Sequence, residues 1–112
     1  MSNQETQTQT VLVTGATGFI GGHLLPALSQ ANWQIVAAVR SEEHSPFNVP
    51  VRSAVVGDID GETDWHTALE GVDTVVHLAA RAHQLKETYV DPERDFQRVN
   101  VQGTANLVRQ CV

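Results

Sequence analysis

The apolar positions of the chain fall into short, evenly separated runs. Val11-Leu12-Val13 is continuously apolar and ends in Thr14-Gly15, the pattern of a strand buried on both faces. Ile35-Val36-Ala37-Ala38-Val39 reads the same way. A third strand falls within residues 51–59, best placed on Ser53-Ala54-Val55-Val56, and a fourth on Thr74-Val75-Val76-His77-Leu78. Residues 18–31 predict a helix, because Ile20, Leu24, Leu25 and Leu28 recur at helical spacing. Pro26 removes one hydrogen bond from it and predicts a kink unless the local geometry adapts. Asn32 suits its C-terminal end. Residues 63–70 predict a short helix with Gly71 just past its end. Residues 41–50 predict a loop and residues 81–90 an irregular polar segment. A last helix opens with Asp91 as N-cap, Pro92 at the first helical position and Glu93 in the first turn. Phe96, Val99, Gly103, Leu107 and Cys111 then share one helical stripe. Strands that alternate with helices or long crossovers call for an α/β fold with a parallel sheet and right-handed connections.

Composition narrows the class. The chain has 112 residues, 41% hydrophobic and 18% charged, which reads as one globular domain. Residues 1–10, polar and rich in Gln and Thr, read as a tail preceding it. The formal charge of −6 argues against general affinity for nucleic acid or an anionic membrane. It does not argue against a phosphate held locally by backbone amides. The single cysteine, Cys111, excludes an intrachain disulfide and suits a reducing compartment, so a cytoplasmic location is expected. Its expected role is that of a small buried apolar residue. No apolar run reaches the roughly 18 residues of a membrane span.

The densest signal is Thr14-Gly15-Ala16-Thr17-Gly18-Phe19-Ile20-Gly21, set between the first strand and the first helix. Gly15 allows a sharp turn off the strand. Gly18 lets a pyrophosphate approach the backbone, and Gly21 lets the helix pack closely on the sheet. The helix start supplies free N–H groups and a positive dipole end. This segment resembles the cofactor loop of the extended short-chain dehydrogenase/reductase family. Val75-Val76-His77-Leu78-Ala79-Ala80 is similar to that family's fourth strand, and Asn100-Val101-Gln102-Gly103-Thr104 to its next helix. The resemblance is nearest to nucleotide-sugar epimerases and dehydratases of the UDP-glucose 4-epimerase type.

That resemblance implies a partial Rossmann fold with strand order 3-2-1-4. It places Gly15, Thr17, Gly18, Phe19, Ile20 and Gly21 around a pyrophosphate, and Asp58 and Ile59 beside adenine. Leu78, Ala79 and Ala80 would lie at the ribose and nicotinamide side, and Asn100 near the cofactor. At the end of the second strand, where NAD-binding relatives carry an acid, this chain has Arg40. A guanidinium binds a 2′-phosphate with forked hydrogen bonds, so NADP(H) is favoured over NAD(H). Glu42 and Glu43 place opposing negative charge nearby.

The family's Tyr-x-x-x-Lys pair is absent. The only tyrosine is Tyr89, and four residues on stands Glu93. No catalytic residue is therefore expected here, and residues 11–112 read as a truncated N-terminal part of a cofactor domain. The parent would transfer hydride at C4 of a nucleotide-sugar as an epimerase or dehydratase, or act as a 4-keto-sugar reductase. A non-catalytic NADP(H)-binding redox sensor is the competing reading. In relatives the helix from Asp91 contributes to a dimer interface, which implies a homodimer. The exposed fourth strand of a truncated sheet would also invite self-association. Other chemistries fail on spacing. The five histidines form no i, i+4 pair, no Gly-x-Ser-x-Gly elbow is present, and the glycine loop lacks the Gly-Lys-Ser/Thr ending of a P-loop.

Overall fold

A computed structural model describes residues 8–41, 47–79 and 92–112. Four strands, β1 (Thr10–Thr14), β2 (Gln34–Val39), β3 (Arg52–Val55) and β4 (Thr74–His77), form one sheet in the order β3-β2-β1-β4. Every pairing is parallel, as the alternation of strands with crossovers requires. β1 is central. Its register sets Thr14 opposite Ala38 on one side and His77 on the other. β1 opens at Thr10, one residue inside the expected tail. Asp73 holds it there: the Thr10 carbonyl accepts from the Asp73 amide, and the Thr10 amide donates to the Asp73 carboxylate.

The period of two along each strand divides the core into two layers. Val11, Val13, Ile35 and Ala37 pack on one face with Ala16 and Leu25. Leu12, Val36 and Ala38 pack on the other with Trp65, Ala68 and Leu107. The first face is covered by α1 (Phe19–Gln30). Its buried residues are Gly21 and Leu25, with Leu24 and Leu28 packed alongside. Ile20 does not join them; it is exposed.

The helix runs unbroken through Pro26. Pro26 and Gly22, whose carbonyl loses its partner, both lie on the solvent side, so water can satisfy that group. The helix ends with Asn32 at φ +69°. The Trp33 amide donates to the Leu28 carbonyl (3.0 Å) and the Asn32 amide to the Ser29 carbonyl (3.0 Å). That pair of bonds is a Schellman closure.

Two expectations are corrected on the second face. Residues 63–65 are irregular and residues 66–70 form turns, not a helix. Their backbone groups are claimed by side chains from elsewhere. The Trp65 amide donates to Gln110 Oε1 (2.8 Å), and the Thr63 carbonyl accepts from Asn106 Nδ2 and Gln110 Nε2 (2.8 Å each). So short a segment cannot nucleate a helix against such competition.

The last helical region comprises α2 (Pro92–Phe96), a π-helical stretch (Gln97–Gly103) and α3 (Thr104–Cys111). The wider π turn breaks the stripe drawn at 3.6 residues per turn. Gly103 and Leu107 are buried, joined by Asn106, while Phe96 and Cys111 are exposed. Cys111 is thus a surface thiol and not a core residue. Asp91, the expected N-cap, and residues 81–90, Tyr89 among them, lie outside the described residues, as do Glu42 and Glu43.

Candidate cofactor site

β2 and β3 step away from β1 on one side, and β4 lies on the other. The strand order therefore reverses beside β1, and the crevice at the carboxyl ends there is where open α/β sheets bind ligands. Gly15 turns the chain at this point with φ +70°. A Cβ on Gly15 would stand 2.7 Å from the Ala79 backbone nitrogen. Glycine is needed there on two counts: the left-handed backbone and the contact between two main chains. A Cβ on Gly21 would strike the Gly15 carbonyl oxygen and the Ala16 backbone. The close packing at Gly21 is therefore onto the turn itself, not onto the sheet.

Gly18 differs. A Cβ there would meet only the Gly15 carbonyl oxygen, at 3.4 Å. Packing within the described chain does not demand glycine at this position. Gly18 caps α1 without a side-chain bond, and the first turn of α1 carries no acid. The leading amides of the helix thus face an anion-compatible end of the dipole.

Beside this turn lies a cleft of about 400 Å³. Of the residues singled out in the sequence, Gly15, Thr17, Arg40, Asp58, Ile59 and Ala79 line it together. Gly18, Phe19, Ile20 and Gly21 form the adjoining start of α1, with Phe19 83% and Ile20 63% exposed. Leu78 turns instead into the apolar layer beneath α1. Asn100 is half-buried within the π stretch, and its neighbours Arg98 and Val99 line the cleft. Ala80 lies outside the described residues. Sequence reading missed Arg98, Val99 and the backbone wall of Ala38, Val39, Val56 and Gly57. Only the position of Arg98, two residues before Asn100, offered a hint.

The cleft's polar end is charged. Arg40 Nη2 lies 2.6 Å from Asp58 Oδ1, and Arg98 Nη1 lies 3.3 Å from Asp60 Oδ2. At the inner end, Thr14 is fully buried and its hydroxyl contacts His77 Nδ1 at 2.7 Å. Burial pushes the His77 pKa down. A wider depression of about 1110 Å³ opens at the opposite ends of the strands, near Trp33, Arg52 and Gly71. Its lining includes the turn residue Gly71, but among the described residues no glycine turn leading from a strand into a helix faces it. Among the described residues no group of three or more His, Cys, Asp or Glu could hold a metal ion, and no helix is long and apolar enough to cross a membrane.

A glycine turn between strand and helix, at the switch point of a 3-2-1-4 parallel sheet, defines a Rossmann-like fold. The chain belongs to the NAD dependent epimerase/dehydratase family, whose profile matches residues 11–112. It is similar to the UDP-glucose 4-epimerase of Vibrio cholerae, 33% identical over 105 residues, covering 93% of this chain and 31% of the relative. It is also similar to a 3-beta-hydroxysteroid dehydrogenase of Mycolicibacterium neoaurum, 39% identical over 104 residues, covering 88% and 27%.

Among solved structures, the Thermus thermophilus UDP-glucose 4-epimerase in complex with NAD matches with a TM-score of 0.69 at 33% identity, covering 92% of this chain and 33% of that one. MoeE5 in complex with UDP-glucose and NAD matches with a TM-score of 0.71 at 33% identity, covering 92% and 32%. The chain spans about a third of the length of these relatives.

Proposed function

We propose that this chain is the N-terminal, cofactor-binding part of an NAD(P)-dependent nucleotide-sugar epimerase or dehydratase, and that it carries no catalytic residue of its own. The observation that carries the reading is the glycine turn. Gly15 and Gly21 are fixed by backbone contacts, whereas Gly18 is left bare with nothing in the described chain to explain it. A diphosphate seated against Gly18 and the first amides of α1 supplies the missing reason.

In this reading Gly15, Thr17, Gly18, Phe19, Ile20 and Gly21 surround the pyrophosphate. Asp58 and Ile59 flank adenine. Ala79 and Ala80 border the ribose and nicotinamide side, with Leu78 packed in the apolar layer beneath α1, and Asn100 stands near the cofactor. When bound, a nicotinamide would supply hydride acceptance and return, and these residues would hold and orient it. Arg40 at the end of β2 favours NADP(H), since its guanidinium suits a 2′-phosphate. Hydride transfer at the sugar C4 belongs to residues that Tyr89 and Glu93 do not replace. Exposed Val101 and Val108 on the last helical region support a homodimer through the helix that follows Asp91. The single thiol suits a reducing cytoplasm.

The test is thermal unfolding of the purified chain with and without NADH or NADPH. A ligand that binds only the folded state raises the melting temperature with concentration. No shift at millimolar levels of either cofactor overturns the assignment.

A further inference from the structure

Three hydroxyl and imidazole groups from three elements meet under the inner end of the cleft. Thr14 ends β1, His77 ends β4, and Thr104 begins α3. The Thr14 hydroxyl has one proton to give and two lone pairs. The Ala79 amide donates to it at 3.0 Å, and the Leu78 amide divides its proton between it (3.0 Å) and the Thr14 carbonyl (3.2 Å), so two N–H groups point at its lone pairs. Its proton is then the only group left for His77 Nδ1, 2.7 Å away. Nδ1 must accept, so the ring proton sits on Nε2, which points at Thr104 Oγ1 across 3.1 Å.

We infer that His77 is a positioning residue: held as the Nε2–H tautomer between Thr14 and Thr104, it orients the Thr14 hydroxyl that locks the end of β4 against the glycine turn. The proposal rests on the cofactor reading above. The Ala79 amide that Thr14 holds is the same atom a Cβ on Gly15 would approach to 2.7 Å. Thr14 draws β4 in, and the adjacent Gly15 leaves room for it. Together they fix the cleft wall where Ala79 and Gly15 meet. Thr104 extends the lock to the helix whose π stretch brings Arg98 and Val99 to the same cleft. The neutral ring this requires agrees with the downward push of burial on its pKa.

The first readout needs no variant and no cofactor. Long-range proton–nitrogen NMR of the full chain at pH 7.5 assigns the ring nitrogens of His77. The expected pattern is a protonated Nε2 and an unprotonated Nδ1; the reverse tautomer overturns the inference. The second readout is affinity for NADH and NADPH. His77→Asn keeps an acceptor near the Nδ1 position and Thr14→Ser keeps the hydroxyl, so both stay within about threefold of wild type. His77→Ala and Thr14→Val lose at least about tenfold, the scale of a buried donor or acceptor left unpaired. Equal affinity across all four variants removes the positioning role. Should Thr14→Val fail to fold, the contrast between His77→Asn and His77→Ala still decides it. Wild type that binds neither cofactor sinks the cofactor reading and the positioning role with it, while the NMR pattern separately judges the hydrogen-bonded lock.

Discussion

Arg40 and Asp58 reach toward each other at the cleft, guanidinium to carboxylate at 2.6 Å, with 75% and 60% of their side chains exposed. So open a pair contributes little to stability, on the order of 0–1 kcal/mol. Its interest lies in what each partner offers a ligand. Arg40 stands at the end of β2, where the proposed function puts a 2′-phosphate, and Asp58 already occupies part of its fork.

Cofactor selectivity is therefore expected to be set by the pair. Arg40→Ala lowers NADPH affinity by about tenfold or more, the scale of a lost charge-assisted bond, and leaves NADH nearly unchanged. Asp58→Asn removes the competing carboxylate and raises the NADPH-to-NADH affinity ratio. Calorimetric titration of both cofactors checks this. Equal affinity of wild type for the two would remove the case for Arg40.

The glycine turn gives a paired prediction. Gly15→Ala forces a side chain onto φ +70° and into the Ala79 backbone. The conformational term alone costs roughly 1–2 kcal/mol, and main-chain displacement adds to it. Gly22→Ala, in the same segment, meets no atom within 4 Å and lies on the exposed side of α1. It should stabilise by about 0.5–1 kcal/mol. Urea unfolding of the two variants reads opposite signs. A neutral Gly15→Ala would mean that the two main chains do not approach as closely as described.

What the sequence disclosed followed from local rules. β1 and β2 are continuous apolar runs buried on both faces, and Asn32 marks the helix end through its own backbone preference. What stayed hidden depends on partners far along the chain. Residues 63–70 lose their helix to Asn106 and Gln110, more than 40 positions away. A π stretch inserted before Thr104 moves Phe96 out of the stripe that a constant 3.6 spacing assigns it, and Cys111, the last residue of α3, is exposed at the helix end. Thr14 reads as a polar residue ahead of a glycine turn. Its role becomes visible only when His77, 63 residues later, is placed beside it.

Asn32 sits in the left-handed region at φ +69° and closes α1 through the Trp33–Leu28 and Asn32–Ser29 bonds. Asn32→Gly should be neutral or slightly stabilising, because glycine adopts this backbone without strain. Asn32→Ala should cost about 1 kcal/mol. Comparison of their thermal midpoints tests the closure; equal midpoints would show that the left-handed residue is not required.

His77 gives the pH dependence. Burial holds its pKa below the ordinary 6.5 in the folded chain, so between the two values the unfolded chain binds more protons. Stability must then rise with pH in that window. His77's contribution is fully present above about pH 6.5, the unfolded value. It is lost as pH falls through the folded pKa, where the ring gains a second proton that Thr14 cannot accept. Unfolding free energies measured from pH 7.5 down to 5 should therefore decline more steeply for wild type than for His77→Asn, which does not titrate. Parallel curves for the two proteins would mean that the ring charges without disturbing Thr14, and the neutral lock would have no thermodynamic weight.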